Sequence, residues 1–120
     1  MTADLAFEKD TLRLLVSELG AEDAAEVLKA FLEDTEGKIC TLGALPPNPA
    51  LVRQEAHSIK SSAGTFGFRE LSELAFSIEQ NALRMTPEQL GSASVTLRMV
   101  FDETAEFARS VLLARNMEIA

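Results

Sequence analysis

A chain of 120 residues, 47% hydrophobic and 25% charged, has the length and balance of one soluble domain with a modest core. Its net charge of −8, the lack of any Lys/Arg block and the absence of Trp and Tyr argue against nucleic acid, anionic membrane surfaces and base-stacking partners. No run approaches the roughly 20 apolar residues of a membrane span, the acidic start "MTADLAFEKD" lacks a signal-peptide pattern, and the lone Cys40 has no internal partner, so a reduced, cytoplasmic setting is expected.

Helical periodicity then runs through nearly the whole chain. Leu12, Leu15, Val16 and Leu19 form one face of a short helix, and Gly20 ends it. Ala24, Val27, Phe31, Thr35, Ile39 and Leu42 continue at spacings of three or four over a longer second helix. The stretch "ALPPNPAL" breaks the pattern: Pro46 and Pro47 stop one helix, Asn48 caps the next, and Pro49 fits its first turn. A third helix is expected from Pro49 to Phe66, with Gly67 as its left-handed stop. Leu71, Leu74, Ala75, Ile78, Ala82 and Met85 mark a fourth. "TPEQ" at 86–89 is a capping box with Thr86 as N-cap and Gln89 as its return partner. Leu90, Ala93, Leu97, Val100, Phe101, Phe107, Ala108 and Val111 stripe the last helix. No segment alternates as a strand does. The expected fold is all-α, an antiparallel four-helix bundle with a short additional N-terminal helix, and residues 1–120 are read as a single domain without internal repeats.

His57 is the only histidine. At 100° per residue, Val52, Ala56, Ile59, Ala63 and Phe66 face the core of the third helix. His57 lies roughly opposite, beside Arg53, Gln54, Lys60, Ser61 and Gly64. A glycine inside a helix costs about 1 kcal/mol relative to alanine. Gly64 is therefore there either for the approach of a partner or for close helix packing. One His without a Cys cluster does not make a zinc site, and Glu55, two residues away, is off its face. Ser61 near His57 lacks a nucleophile elbow and a third group to orient the ring. Two readings stand: an ordinary surface histidine with a solvated lysine, or a nucleophilic imidazole that attacks a phosphoryl group while Lys60 neutralises its oxygens. The chain has no Gly-rich phosphate loop and no paired carboxylates for Mg²⁺.

The string "HSIKSSAGTFGF" at 57–68 resembles the phosphorylation motif of histidine-containing phosphotransfer (HPt) domains. It is especially similar to the N-terminal phosphotransfer domain of CheA-type chemotaxis kinases. The order of the helices and the place of the histidine on the third also agree. The resemblance implies that His57 is the phosphoacceptor, through Nε2, and that Lys60 holds the phosphoryl group. Gly64 and Gly67 match the motif glycines. At the offset where the family places a Gln or Glu bonded to Nδ1, this chain has Glu79, which otherwise reads as a surface acid. Ser61 departs from the glycine usual after the lysine, and this bears on which receivers fit. The implied function is a phosphorelay intermediate, passing a phosphoryl group between a histidine kinase or receiver aspartate and a response-regulator receiver domain. It would be a carrier and not an enzyme, with ATP and Mg²⁺ supplied by the partners. The partner-facing set is Arg53, Gln54, Ser61, Gly64 and Gly67. A helical adaptor that docks partners without phosphorylation, and a phosphotransfer domain excised from a CheA-like kinase, are the alternatives.

Overall fold

The computed structural model describes residues 7–44, 46 and 48–118. Five α-helices follow in order: α1 (Lys9–Leu19), α2 (Ala21–Ala44), α3 (Pro49–Thr65), α4 (Arg69–Asn81) and α5 (Pro87–Phe107). A single 3₁₀ turn (Ala82–Arg84) separates α4 from α5, and a π-helical turn (Ala108–Leu113) extends α5. Helices α2 to α5 form a closed ring of neighbours, each packed on the next and α5 back on α2, while α1 lies against α2 and α3. This is the four-helix bundle with an added N-terminal helix. Its only strand-like pairing among the described residues is one bridge between Phe7 and Phe68.

Local signals account for the boundaries. Gly20, at φ +87°, turns α1 into α2 while its N–H bonds the Val16 carbonyl at 2.7 Å. The Asn48 side chain accepts the Leu51 N–H at 3.1 Å, which satisfies one orphan donor of α3. Thr86 and Gln89 form the reciprocal capping box of α5, at 3.1 and 2.9 Å. Pro47, read as part of the helix stop, lies outside the described residues.

The core is a column of Leu12, Leu28, Phe31, Leu32, Ile59, Phe66, Leu71, Leu97, Phe101 and Leu112, with the small Ala56, Ala63 and Ala75 between them. Each large apolar side chain buried here contributes about 1.5–3 kcal/mol. At one end, Phe31, Phe66 and Phe68 gather with ring centroids 5.2–6.0 Å apart, and Phe7 joins Phe68 and Phe107.

Three expectations need correction. Val27 is exposed at 43%, and Leu28 and Leu32 are buried in its place. The face of α2 centres on Ala24, Leu28, Phe31, Thr35, Ile39 and Leu42, which puts Val27 about 80° away. Leu19, the last residue of α1 before the Gly20 turn, is exposed. The fourth helix stops at Asn81, and Met85 adopts an extended conformation that leads into the Thr86 cap.

Candidate functional site

Helices α3 and α4 run antiparallel after a reversal of three residues, Phe66 to Phe68. Gly67 makes the reversal, with φ +82°. Phe66 and Phe68 flank it as buried anchors. Higher up the pair, Ser72 donates its hydroxyl to the Lys60 carbonyl at 2.9 Å and pins α4 to α3 one turn from His57.

This register brings His57 and Glu79 together. The imidazole stands 61% exposed, and the Glu79 side chain only 13%. The Nδ1–H donates to Glu79 Oε2 at 2.7 Å. A carboxylate accepts only, so the bond fixes the proton on Nδ1 and leaves the lone pair on Nε2. The Lys60 ammonium lies 3.4 Å from Glu79 Oε1. That oxygen is buried and has no hydrogen bond, so the lysine contact is an ion pair without hydrogen-bond alignment. Lys60 also sits over the Phe76 ring, 5.1 Å from its centroid. The Glu79 carboxyl is held below its ordinary value, first by the hydrogen bond from His57; partial burial works against this, and the charges of His57 and Lys60 add to the lowering.

Of the partner-facing set, Arg53, Gln54, Ser61 and Gly64 are exposed on α3. An added Cβ at Gly64 would touch only the Ser72 hydroxyl, at 3.6 Å. That is ordinary contact, so helix packing does not account for the glycine. Gly67 is different and leaves the set. It is buried, its carbonyl accepts the Glu8 N–H at 2.8 Å, and a Cβ there would run into the Glu8 carbonyl. The Glu8 segment covers it because the chain has already left the axis of α3.

Two further residues of the site lie outside the sequence motif and are not singled out by it. Ser72 and Phe76 share a stripe with Glu79, the three falling within about 60° on a helical wheel. A wheel extended from Glu79 finds both. Phe76 is exposed at 47%. A separate apolar groove of about 540 Å³ lies among the end of α2, the start of α3 and α5. It holds no histidine, and its Arg98 is already engaged by Glu36 at 2.8 Å. Among the described residues no group of His, Cys, Asp and Glu could hold a metal ion, and no helix is long and apolar enough to cross a membrane.

The α3 face thus joins an exposed imidazole with its Nδ1 proton tied down, a nearby ammonium, and the exposed small residues Ser61 and Gly64. No curated protein and no solved structure matches the chain. The family model of the Hpt domain matches residues 21–107, from the start of α2 to the end of α5. The chain therefore belongs to the Hpt domain family, the phosphocarrier modules of histidine phosphorelays.

Proposed function

We propose that His57 is the phosphoacceptor. Its Nε2 lone pair attacks the phosphorus of an aspartyl phosphate on a receiver, or the γ-phosphorus of ATP bound to a histidine kinase. The new N–P bond forms as the donor's O–P bond breaks, and the donor oxygen keeps the electron pair. The proton on Nδ1 stays in the hydrogen bond to Glu79, whose carboxylate offsets the positive charge that develops on the ring. Transfer onward to a receiver aspartate is the same displacement reversed. ATP and Mg²⁺ belong to the partners, and Lys60 steadies the phosphoryl oxygens.

One observation carries this reading: the 2.7 Å bond from Nδ1 to Glu79, made by a ring that stays 61% exposed. A histidine kept only for docking has no need of a fixed tautomer. The open surface at Ser61 and Gly64 supports approach by a receiver, whose loops must come within bonding distance of Nε2. The test is incubation with a radiolabelled phosphorylated receiver, or with a histidine kinase and radiolabelled ATP. The expected product is an acid-labile, alkali-stable label that is absent from His57→Gln. A label that survives acid, or that persists in His57→Gln, would refute the assignment.

A further inference from the structure

Lys60 has a long flexible stem, and its ammonium must be near Nε2 when a phosphoryl group arrives. One anchor is Glu79 Oε1, in an ion pair at 3.4 Å that lacks hydrogen-bond alignment. The other is the face of Phe76, 5.1 Å away. Phe76 is 47% exposed and stands outside the buried core and the apolar residues packed on it. Packing therefore gives no reason for an aromatic ring at this place on α4. We infer that Phe76 is a positioning residue, whose ring holds the Lys60 ammonium beside His57 for phosphoryl transfer. The inference rests on His57 as acceptor.

The two anchors differ in kind. A carboxylate neutralises the ammonium and competes with the phosphoryl oxygens for it. An aromatic face attracts the cation through its quadrupole and leaves its full charge available. It also sets no fixed donor direction, so Lys60 can turn its N–H groups from Glu79 toward a phosphoryl group without leaving the ring. Phe76 lies one turn before Glu79, which places the ring and the carboxylate on one side of α4.

The experiment uses the full chain and phosphoramidate as a partner-free donor. Nε2 attacks phosphorus, the P–N bond of the donor breaks, and ammonia leaves with the electron pair. Phe76→Leu keeps the apolar bulk and removes the aromatic face, while Phe76→Tyr keeps the face. In the wild-type chain and Phe76→Tyr, the Lys60 Hε protons should be shifted upfield by the ring current, and in Phe76→Leu they should return to ordinary positions. Labelling of His57 should slow about two- to fivefold in Phe76→Leu, the scale of an exposed cation–π contact, and hold in Phe76→Tyr. In a Lys60→Met background, Phe76→Leu should slow labelling no further. Equal labelling of Phe76→Leu and the wild type, or the same slowing with and without Lys60, would overturn the positioning role. Phosphoramidate that leaves even the wild-type chain unlabelled would overturn the transfer reading and this role with it. Loss of label in Phe76→Leu alone would touch only the role of Phe76.

Discussion

The two glycines of "SSAGTFG" should respond to alanine with opposite signs. At Gly67 the backbone has φ +82°, which costs an L-residue about 1–2 kcal/mol. The new methyl would also run into the Glu8 carbonyl. Backbone cannot yield as a flexible side-chain tip does, so the Glu8 segment must shift. That shift breaks the 2.8 Å bond from the Glu8 N–H to the Gly67 carbonyl, a further loss of about 1 kcal/mol. Gly67→Ala should therefore destabilise by about 2–3 kcal/mol, and lower the melting temperature by roughly 10 °C for a chain of this length. At Gly64 the methyl meets only Ser72 Oγ, at 3.6 Å. There the helix gains about 0.5–1 kcal/mol, a rise of a few degrees. Urea denaturation followed by far-UV circular dichroism reads both, with folded-state ellipticity unchanged. Equal losses from the two substitutions, or a Gly64→Ala chain less stable than wild type, would refute the separation of a structural glycine from an open one.

Glu79→Ala removes the acceptor of the Nδ1 proton and should slow labelling of His57 at least about tenfold, the scale of a charge-assisted hydrogen bond. Glu79→Gln, which keeps a carbonyl acceptor, should lose less, and ¹⁵N spectra of the imidazole should show the Nδ1–H tautomer giving way only in the alanine variant. The Glu36 carboxyl is held below its ordinary 4.5, first by the hydrogen bond from Arg98. A lowered carboxyl pKa contributes stability that is present above 4.5 and lost as pH falls through the folded value. Glu36→Gln should thus cost about 0.5–1 kcal/mol at pH 7 after solvent screening and nothing near pH 2, as read from denaturation curves across that range. Ile59→Ala, at 1% exposure on the inner face of α3, should cost about 2–5 kcal/mol in the same denaturation experiment.

Capping and breaking residues act on their own neighbours, which is why the helix boundaries are legible in the sequence. Asn48, Thr86, Gln89 and Gly67 each do in three dimensions what their local chemistry implies. The face of α2 is less legible. Val27 keeps the spacing of three or four from Ala24 and Phe31, yet a stripe is set by its mean direction, and Leu28 and Leu32 pull that mean away from it. At the site, the wheel of α3 puts His57, Lys60 and Gly64 on one flank from the sequence alone. The partner of Nδ1 is a different matter. Which residue of α4 meets the ring depends on the register of two helices, and the reversal at Phe66–Phe68 and the Ser72 bond to Lys60 set that register. The family offset points to Glu79, and its place at the border of the core stripe beside Leu74 and Ile78 agrees with it. The burial of Gly67 is hidden for a related reason, because its cover comes from Glu8, far away in the chain.

A carboxylate beside the proposed phosphoacceptor needs justification in a chain of net charge −8, since it repels an incoming phosphoryl group. The geometry supplies one. Glu79 directs one oxygen at the Nδ1 proton and the other at the Lys60 ammonium, so its charge is balanced by two neighbours. With a neutral imidazole the triad carries no net charge, and α3 itself bears two cations, Arg53 and Lys60, against a single acid, Glu55. Helix α2, by contrast, carries six acids and two lysines. Beyond about 8 Å, salt screens exposed charges at physiological strength, so the acids that bear on the imidazole are those close to it, and Glu79 is already balanced there.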